Sequence, residues 1–224
     1  MAEKVTKQAL IVGAAPCADL AFLEEYLEGR DWTVICADGG LNTALAAGLE
    51  PDYLIGDWDS GGSPAGDVPY VTLPVEKDFT DLQAAAHWAI KQGCNELLLC
   101  GCTGGRLDHT ASNLVLLEWI FRQGGSAMLL DGDNEVRFLE NSTICLRDRP
   151  HYHYLSLIPL DRVLRGVTLR GVKYPLDQAV ITRGDTLTVS NEPAAQEMDL
   201  TIQDGAALII RSQREDGRSS MTIP

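Results

Sequence analysis

Two aspartates two residues apart, Asp57 and Asp59, follow a short apolar run that ends in a glycine, Tyr53-Leu54-Ile55-Gly56. Leu54 and Ile55 read as the end of a buried strand, and Gly56 lets the backbone turn. Both carboxylates then emerge at the C-terminal edge of that strand, the edge at which open α/β sheets bind ligands. Carboxylates this close repel one another unless a cation sits between them. Mg²⁺ is the hard cation that takes one or two carboxylates together with substrate phosphates. Taken singly, an Asp-x-Asp is an ordinary turn, and three further stretches change its meaning.

Ala37-Asp38-Gly39-Gly40 ends another apolar run, and its glycines suit close approach of the backbone to a ribose or phosphate. Lys77-Asp78-Phe79-Thr80-Asp81 opens a helical pattern. Lys77 offers a point charge to a phosphate, and Asp81, in the first turn, a third carboxylate for a metal. Gly104-Gly105-Arg106-Leu107-Asp108-His109 opens another helical pattern, with Arg106 as a planar fork and a helix N-terminus that favours phosphate. Each stretch has a plainer meaning by itself: a turn at Asp38-Gly39, a helix cap at Asp78 or Thr80, a helix-start residue at His109. Together they form an acid-rich, glycine-rich set with one Lys and one Arg. That set fits metal-assisted phosphoryl chemistry better than acyl or hydride transfer. No P-loop, dinucleotide fingerprint or nucleophile elbow is present. His87 lies on an Ala-rich helical stripe and reads as structural; His151 and His153 alternate in a strand with no third ligand in view.

The elements that must position these residues follow from periodicity. Apolar runs at 8–12, 32–37, 53–56, 70–73, 96–100 and 127–130 read as strands. Helical spacing falls at 18–27, 41–47, 78–92 and 108–122, with Leu82, Ala85, Ala86, Ala89 and Ile90 inward on the third. On the fourth, Leu114, Leu117 and Ile120 or Phe121 form the inward stripe. The alternation predicts an α/β fold with an N-terminal, mostly parallel sheet and helices on both faces. Beyond Asp131-Gly132-Asp133-Asn134 only short strand-like runs occur, at 136–139, 142–146, 152–158, 163–170, 179–182, 186–190, 198–202 and 206–212. They predict a C-terminal all-β sandwich. The expected domains are 1–135, carrying nucleotide and Mg²⁺, and 136–224.

Charge divides the chain in the same place. Residues 1–140 hold 22 acidic and 8 basic side chains, and 141–224 hold ten of each. An acidic chain argues against nucleic acid as a partner. An acidic half that handles an anionic nucleotide needs divalent cations and a few placed bases, and it tolerates a cationic second substrate. The six cysteines match neither zinc nor disulfide spacing and read as reduced. No apolar signal core or membrane-length run is present, so a soluble, cytoplasmic protein is expected, with no membrane partner.

The four site stretches, in this order and spacing, resemble the thiamine pyrophosphokinase family. Lys173-Tyr174-Pro175-Leu176 and Ser190-Asn191-Glu192 extend the resemblance into the β half, so it spans about residues 37 to 192. The resemblance implies a homodimer with thiamine sites near the subunit interface. It implies transfer of the pyrophosphoryl group of ATP, the co-substrate, to the hydroxyl of thiamine, giving thiamine diphosphate and AMP. By the same resemblance Asp57, Asp59 and Asp81 hold Mg²⁺, and Asp38, Gly39, Gly40, Lys77, Gly104, Gly105, Arg106, Asp108 and His109 surround nucleotide or phosphate. Asp78 or Asp81 orients or deprotonates the attacking hydroxyl, and Ser190 and Asn191 lie at the thiamine pocket. Some members stack thiamine on a Trp of the β half. This chain has no Trp after Trp119. Tyr152, Tyr154, Tyr174 or Trp58 is left as the aromatic platform. A catalytically inactive nucleotide- or thiamine-binding regulator and a different metal-dependent phosphotransferase or phosphohydrolase are the competing readings.

Overall fold

The first apolar run becomes β1 (Lys7–Val12), and the alternation that follows is realised along the first half of the chain. A 3-10 turn (Ala21–Leu23) leads into the short α1 (Glu24–Leu27), then β2 (Trp32–Ala37), α2 (Gly40–Ala46), β3 (Tyr53–Gly56) and β4 (Tyr70–Thr72). Next come α3 (Asp81–Lys91), β5 (Cys94–Cys100), α4 (Leu107–Arg122) and β6 (Ser126–Leu130). The structure, a computed structural model, describes residues 7–16, 20–57, 67–74 and 76–214. It divides into two units, Met1–Gly132 and Asp133–Pro224.

In the first unit the strand order is β4-β3-β2-β1-β5-β6. Every neighbouring pair in it is parallel. All strand C-termini therefore share one edge. Side chains alternate across the pleat. Leu10, Val12, Cys36, Leu54, Leu98 and Cys100 pack on one face with Leu20, Leu23, Tyr26 and Ala44 of the α1 and α2 side. Ile11, Ile35, Ile55, Leu97 and Leu99 point the other way and are fully buried. That second face is covered by α3, through Leu82, Ala85, Ala86 and Ala89, and by α4, through Leu116, Leu117 and Ile120. The chain reverses its march across the sheet after β4, so right-handed crossovers must place α3 and α4 opposite α1 and α2. The mostly parallel sheet with helices on both faces is as expected.

Local boundaries differ from the expected ones for identifiable reasons. The helix expected over 18–27 is a 3-10 turn and one α turn, and residues 17–19 lie outside the described residues. On α4 the third inward position is Leu116 rather than Leu114, and Phe121 is exposed. Of the two cap candidates for α3, Thr80 caps the helix: its Oγ1 accepts a hydrogen bond from the Gln83 N–H at 3.2 Å.

The second unit is all β. It comprises β7 (Asn134–Glu140), β8 (Thr143–Arg147), β9 (Tyr154–Pro159), β10 (Val163–Arg170), β11 (Leu176–Thr182), β12 (Glu197–Thr201) and β13 (Ala206–Ser212). The three strands β7-β13-β9 are antiparallel, as are the four strands β11-β10-β12-β8. Leu139, Leu155, Leu157 and Ile209 of the first set meet Leu146, Leu164, Leu169, Ile181 and Leu200 of the second in one core, which makes a sandwich. A fully buried Leu or Ile contributes roughly 2 kcal/mol.

One expected strand is absent. Residues 186–190 form a turn closed by the Val189 N–H on the Thr186 carbonyl at 3.1 Å. The alternation that suggested a strand is inverted, because Leu187 and Val189 face solvent while Thr188 is buried. The Thr188 hydroxyl donates to the Leu157 carbonyl at 2.7 Å. Among the described residues, five cysteines are free: Cys36, Cys94, Cys100 and Cys102, all buried, and the exposed Cys145. No helix among them is long and apolar enough to cross a membrane.

Candidate active site

The parallel sheet delivers the ends of β1, β2, β3 and β5 to one edge, and the chemistry-bearing residues sit there. A cavity of about 430 Å³ opens at this edge. Its walls include Asp38 after β2, Thr80 and Asp81 at the mouth of α3, and Gly104, Gly105, Arg106 and His109 around the start of α4. Asp38 has a left-handed backbone (φ 49). Its N–H is held by the Ile55 carbonyl at 2.8 Å. A non-glycine residue in that region costs energy, and such strain concentrates at functional sites.

A different pair of carboxylates, Asp57 and Asp81, shares one ammonium. Lys77 donates to Asp57 Oδ2 at 3.0 Å, and its Nζ lies 3.0 Å from Asp81 Oδ1. The Lys77 side chain is 9% exposed. Burial opposes its charge, but Asp57 and Asp81 outweigh that effect and hold the Lys77 pKa above its ordinary value. Asp81 Oδ1 is buried, and the Lys77 ammonium is its charged neighbour. β3 supplies Asp57 from its C-terminal end, and the capped first turn of α3 supplies Asp81. Two carboxylate oxygens thus converge on one cationic point. This is a hard-oxygen donor set of the kind Mg²⁺ takes. Among the described residues no group of three or more His, Cys, Asp or Glu side chains is arranged to hold a metal. Asp59, the third expected ligand beside Asp57, and Trp58 both lie outside the described residues.

Arg106 and Asp108 form a bidentate pair across two residues, Nε to Oδ1 at 3.1 Å and Nη2 to Oδ2 at 2.6 Å. The His109 N–H also donates to Asp108 Oδ1, at 3.0 Å. The Arg106 guanidinium, aided by that N–H, holds the Asp108 carboxyl down at about 2. Arg106 lines the cavity with its Nε and Nη2 engaged by this carboxylate. Asp78 is exposed just before the Thr80 cap and does not line the cavity.

The glycines divide by role. Gly104 (φ 87) and Gly105 (φ 64) carry the left-handed loop that lines the cavity. Gly39 and Gly40 do not line it. A Cβ on Gly40 would meet the Val12 carbonyl oxygen at 2.0 Å, so this glycine lets α2 start against the end of β1.

Sequence reasoning missed two contributors. Gly13, Ala14, Ala15 and Pro16 line the cavity after β1, as strand-end placement at the same edge should have suggested. Asn113 lines it one turn beyond His109, and its Nδ2 donates to the Cys102 carbonyl at 2.8 Å, steadying the loop ahead of Gly104. Their i, i+4 spacing on α4 was the available signal.

In the second unit, Ser190 is exposed with a left-handed backbone (φ 58). Its N–H donates to the Ser156 hydroxyl at 3.0 Å. Asn191 is 4% exposed and Tyr174 is 58% exposed. The Asn191 side chain bonds to main-chain groups of Tyr174 and Glu192. Of the other tyrosines, Tyr152 is buried under the Arg211 guanidinium.

A parallel α/β sheet with glycine loops, a carboxylate–lysine cluster and an arginine at its C-terminal edge defines the class of nucleotide-handling phosphotransfer enzymes. Residues 23–129 match the family model described as thiamin pyrophosphokinase, catalytic domain, and residues 141–207 match thiamin pyrophosphokinase, vitamin B1 binding domain. The chain is 32% identical over 188 residues to a thiamine pyrophosphokinase of Bacillus subtilis, covering 80% of this chain and 86% of that one. The crystal structure of a Bacillus subtilis thiamine pyrophosphokinase superposes with a TM-score of 0.83 at 30% identity, covering 93% of this chain and 100% of that one. That of Geobacillus thermodenitrificans gives 0.80 at 32% identity, covering 93% and 99%. The yeast enzyme, at 14% identity and a TM-score of 0.72 over 94% and 88%, shares the fold. The chain belongs to the thiamine pyrophosphokinase family.

Proposed function

We propose that this chain transfers the pyrophosphoryl group of ATP to the hydroxyl of thiamine through the cluster of Asp57, Lys77 and Asp81. The observation that carries the reading is that cluster's seat beside a nucleotide-sized cavity, in a chain matching both domains of the family.

Asp38, Gly104, Gly105 and His109 border the nucleotide. Arg106, oriented by Asp108, binds phosphate oxygens. Asp57 and Asp81, with Asp59, would hold Mg²⁺, which would supply charge neutralisation for the phosphates. Lys77 then faces the transferring group as a fixed cation. The thiamine hydroxyl oxygen attacks the β-phosphorus. The bond from that phosphorus to the bridging oxygen breaks, and AMP departs with the bridging oxygen and its electron pair. The hydroxyl proton passes to Asp81, the carboxylate of the cluster that lines the cavity. Positioning and charge stabilisation supply most of the rate, since such transition states are loose. Ser190, Tyr174 and Trp58 contact thiamine, whose fixed positive charge suits an acidic first half. A homodimer with thiamine sites near the subunit interface, working in the cytoplasm, completes the proposal.

The test is product identification. Purified protein with ATP, Mg²⁺ and thiamine should form AMP and thiamine diphosphate in equal amounts, read by mass. Release of ADP or orthophosphate, or no AMP, would overturn the reading.

A further inference from the structure

A buried amide whose hydrogen bonds are spent on the main chain does not fit a direct substrate contact, and Asn191 is such a group. Residues 171–174 run beside 191–194 as a short two-stranded ladder. The Lys173 N–H donates to the Glu192 carbonyl at 2.9 Å, and the Ala194 N–H to the Gly171 carbonyl at 2.9 Å. At Tyr174 the ladder should end, and the side chain of Asn191 adds one more rung. Asn191 Oδ1 accepts from the Tyr174 N–H at 3.0 Å, and Nδ2 donates to the Tyr174 carbonyl at 2.8 Å. The same Oδ1 accepts the Glu192 N–H at 2.9 Å. A carboxamide is the short side chain that carries both a donor and an acceptor at this reach.

Two further constraints act on Tyr174. Pro175 follows it and holds it extended. Gly171 (φ 71) brings its strand against Glu197, where a Cβ would lie 2.2 Å from the carbonyl oxygen. The main chain of Tyr174 is thus fixed on both sides, while 58% of the residue stays exposed. Such an exposed aromatic gains nothing in the core from being held so firmly. Lys173, which lies 5.5 Å from the ring centroid, is drawn onto Glu192 at 2.8 Å. The Tyr174 ring thus already carries a cation over its face, the Lys173 ammonium, and a π face that holds one cation suits a cationic ring.

We propose that Asn191 is a positioning residue that clamps the Tyr174 backbone and so presents the Tyr174 ring to the cationic acceptor, rather than touching that acceptor itself. The inference rests on the functional reading above, and it assigns Asn191 an indirect part and Tyr174 the direct one.

A double-mutant cycle tests it. Asn191→Ala and Tyr174→Ala should each raise the thiamine KM about tenfold, the scale of one cation–aromatic contact. The ATP KM should stay unchanged. The double variant should be no worse than the worse single one, because both changes remove one contact. Multiplying effects, an equal rise in ATP KM, or a wild-type thiamine KM in Asn191→Ala would each overturn the clamp. Should Asn191→Ala not fold, Asn191→Asp keeps the acceptor and loses the donor. It should raise the thiamine KM by a smaller factor, and an unchanged value overturns the proposal. Wild-type protein that makes no thiamine diphosphate would count against the functional reading instead. The clamp is then read by amide hydrogen exchange at Tyr174, which should be faster in the Asn191 variant than in wild type; equal rates overturn it.

Discussion

Asp57, Lys77 and Asp81 form a charge cluster that no single stretch of sequence displays. Asp57 follows a strand, Asp81 opens a helix, and the Lys77 ammonium lies 3.0 Å from each. Asp57→Asn should lower turnover by about a hundredfold or more. Its melting temperature should change little, since Asp81 still faces Lys77; wild-type turnover would remove Asp57 from the metal site. Lys77→Ala is expected to leave Asp57 and Asp81 repelling each other. Mg²⁺ alone should then raise that variant's melting temperature more than it raises that of wild type, and equal shifts would show that the carboxylates do not share the ion. The three residue types were legible because Lys77-Asp78-Phe79-Thr80-Asp81 opens a helix and Asp57 closes a strand. The Lys77 seat between two acids was not. It depends on where the start of α3 lies against the end of β3, a relation between segments some twenty residues apart. The hold of the Asn191 side chain on the Tyr174 backbone was hidden for a similar reason, since a polar residue in a promising motif looks the same in sequence whether it faces a ligand or a backbone.

Elements were legible where period and composition agree. β1, β2 and β5 fall within two residues of the expected spans and α3 within three, because buried parallel strands are continuous apolar runs and α3 has a clear stripe. Thr186 to Ser190 defeated the pattern: alternation without burial carries no strand, and a buried Thr188 hydroxyl can close a turn instead. Gly40 belongs to this scale too. Its side chain would collide with the Val12 carbonyl, so Gly40→Ala should cost on the order of 2–4 kcal/mol in chemical denaturation. A stability equal to wild type would show that α2 and β1 are not in close contact. In the β half, Glu135 of β7 is 1% exposed and pairs with Arg211 of β13 and with Arg137. Burial works to raise its pKa, but the two guanidiniums prevail and hold it below the ordinary 4.5. A carboxylate depressed on folding stabilises the fold above its unfolded value and loses that contribution as pH falls. Stability should therefore decline below about pH 4.5. Glu135→Gln should be less stable by about 3–5 kcal/mol at neutral pH, and its stability should depend less on pH in that acid range. Equally steep acid profiles for variant and wild type would exclude Glu135 as their source.

At the scale of the whole molecule, the division of charge matches the division of labour. The acidic first half matches the family's catalytic domain, and the balanced second half matches its vitamin B1 binding domain. An acidic surface that draws in a fixed cation should be screened by salt. The thiamine KM is expected to rise with ionic strength while the melting temperature holds, and an unchanged KM would remove long-range attraction from the mechanism. The central claim concerns which bond breaks. ATP labelled with ¹⁸O at the oxygen bridging the α- and β-phosphorus, incubated with the protein, Mg²⁺ and thiamine, reports it directly. Attack at the β-phosphorus leaves the label in AMP, and that is the expected result. Label retained in thiamine diphosphate, or carried into ADP, would contradict pyrophosphoryl transfer at this site.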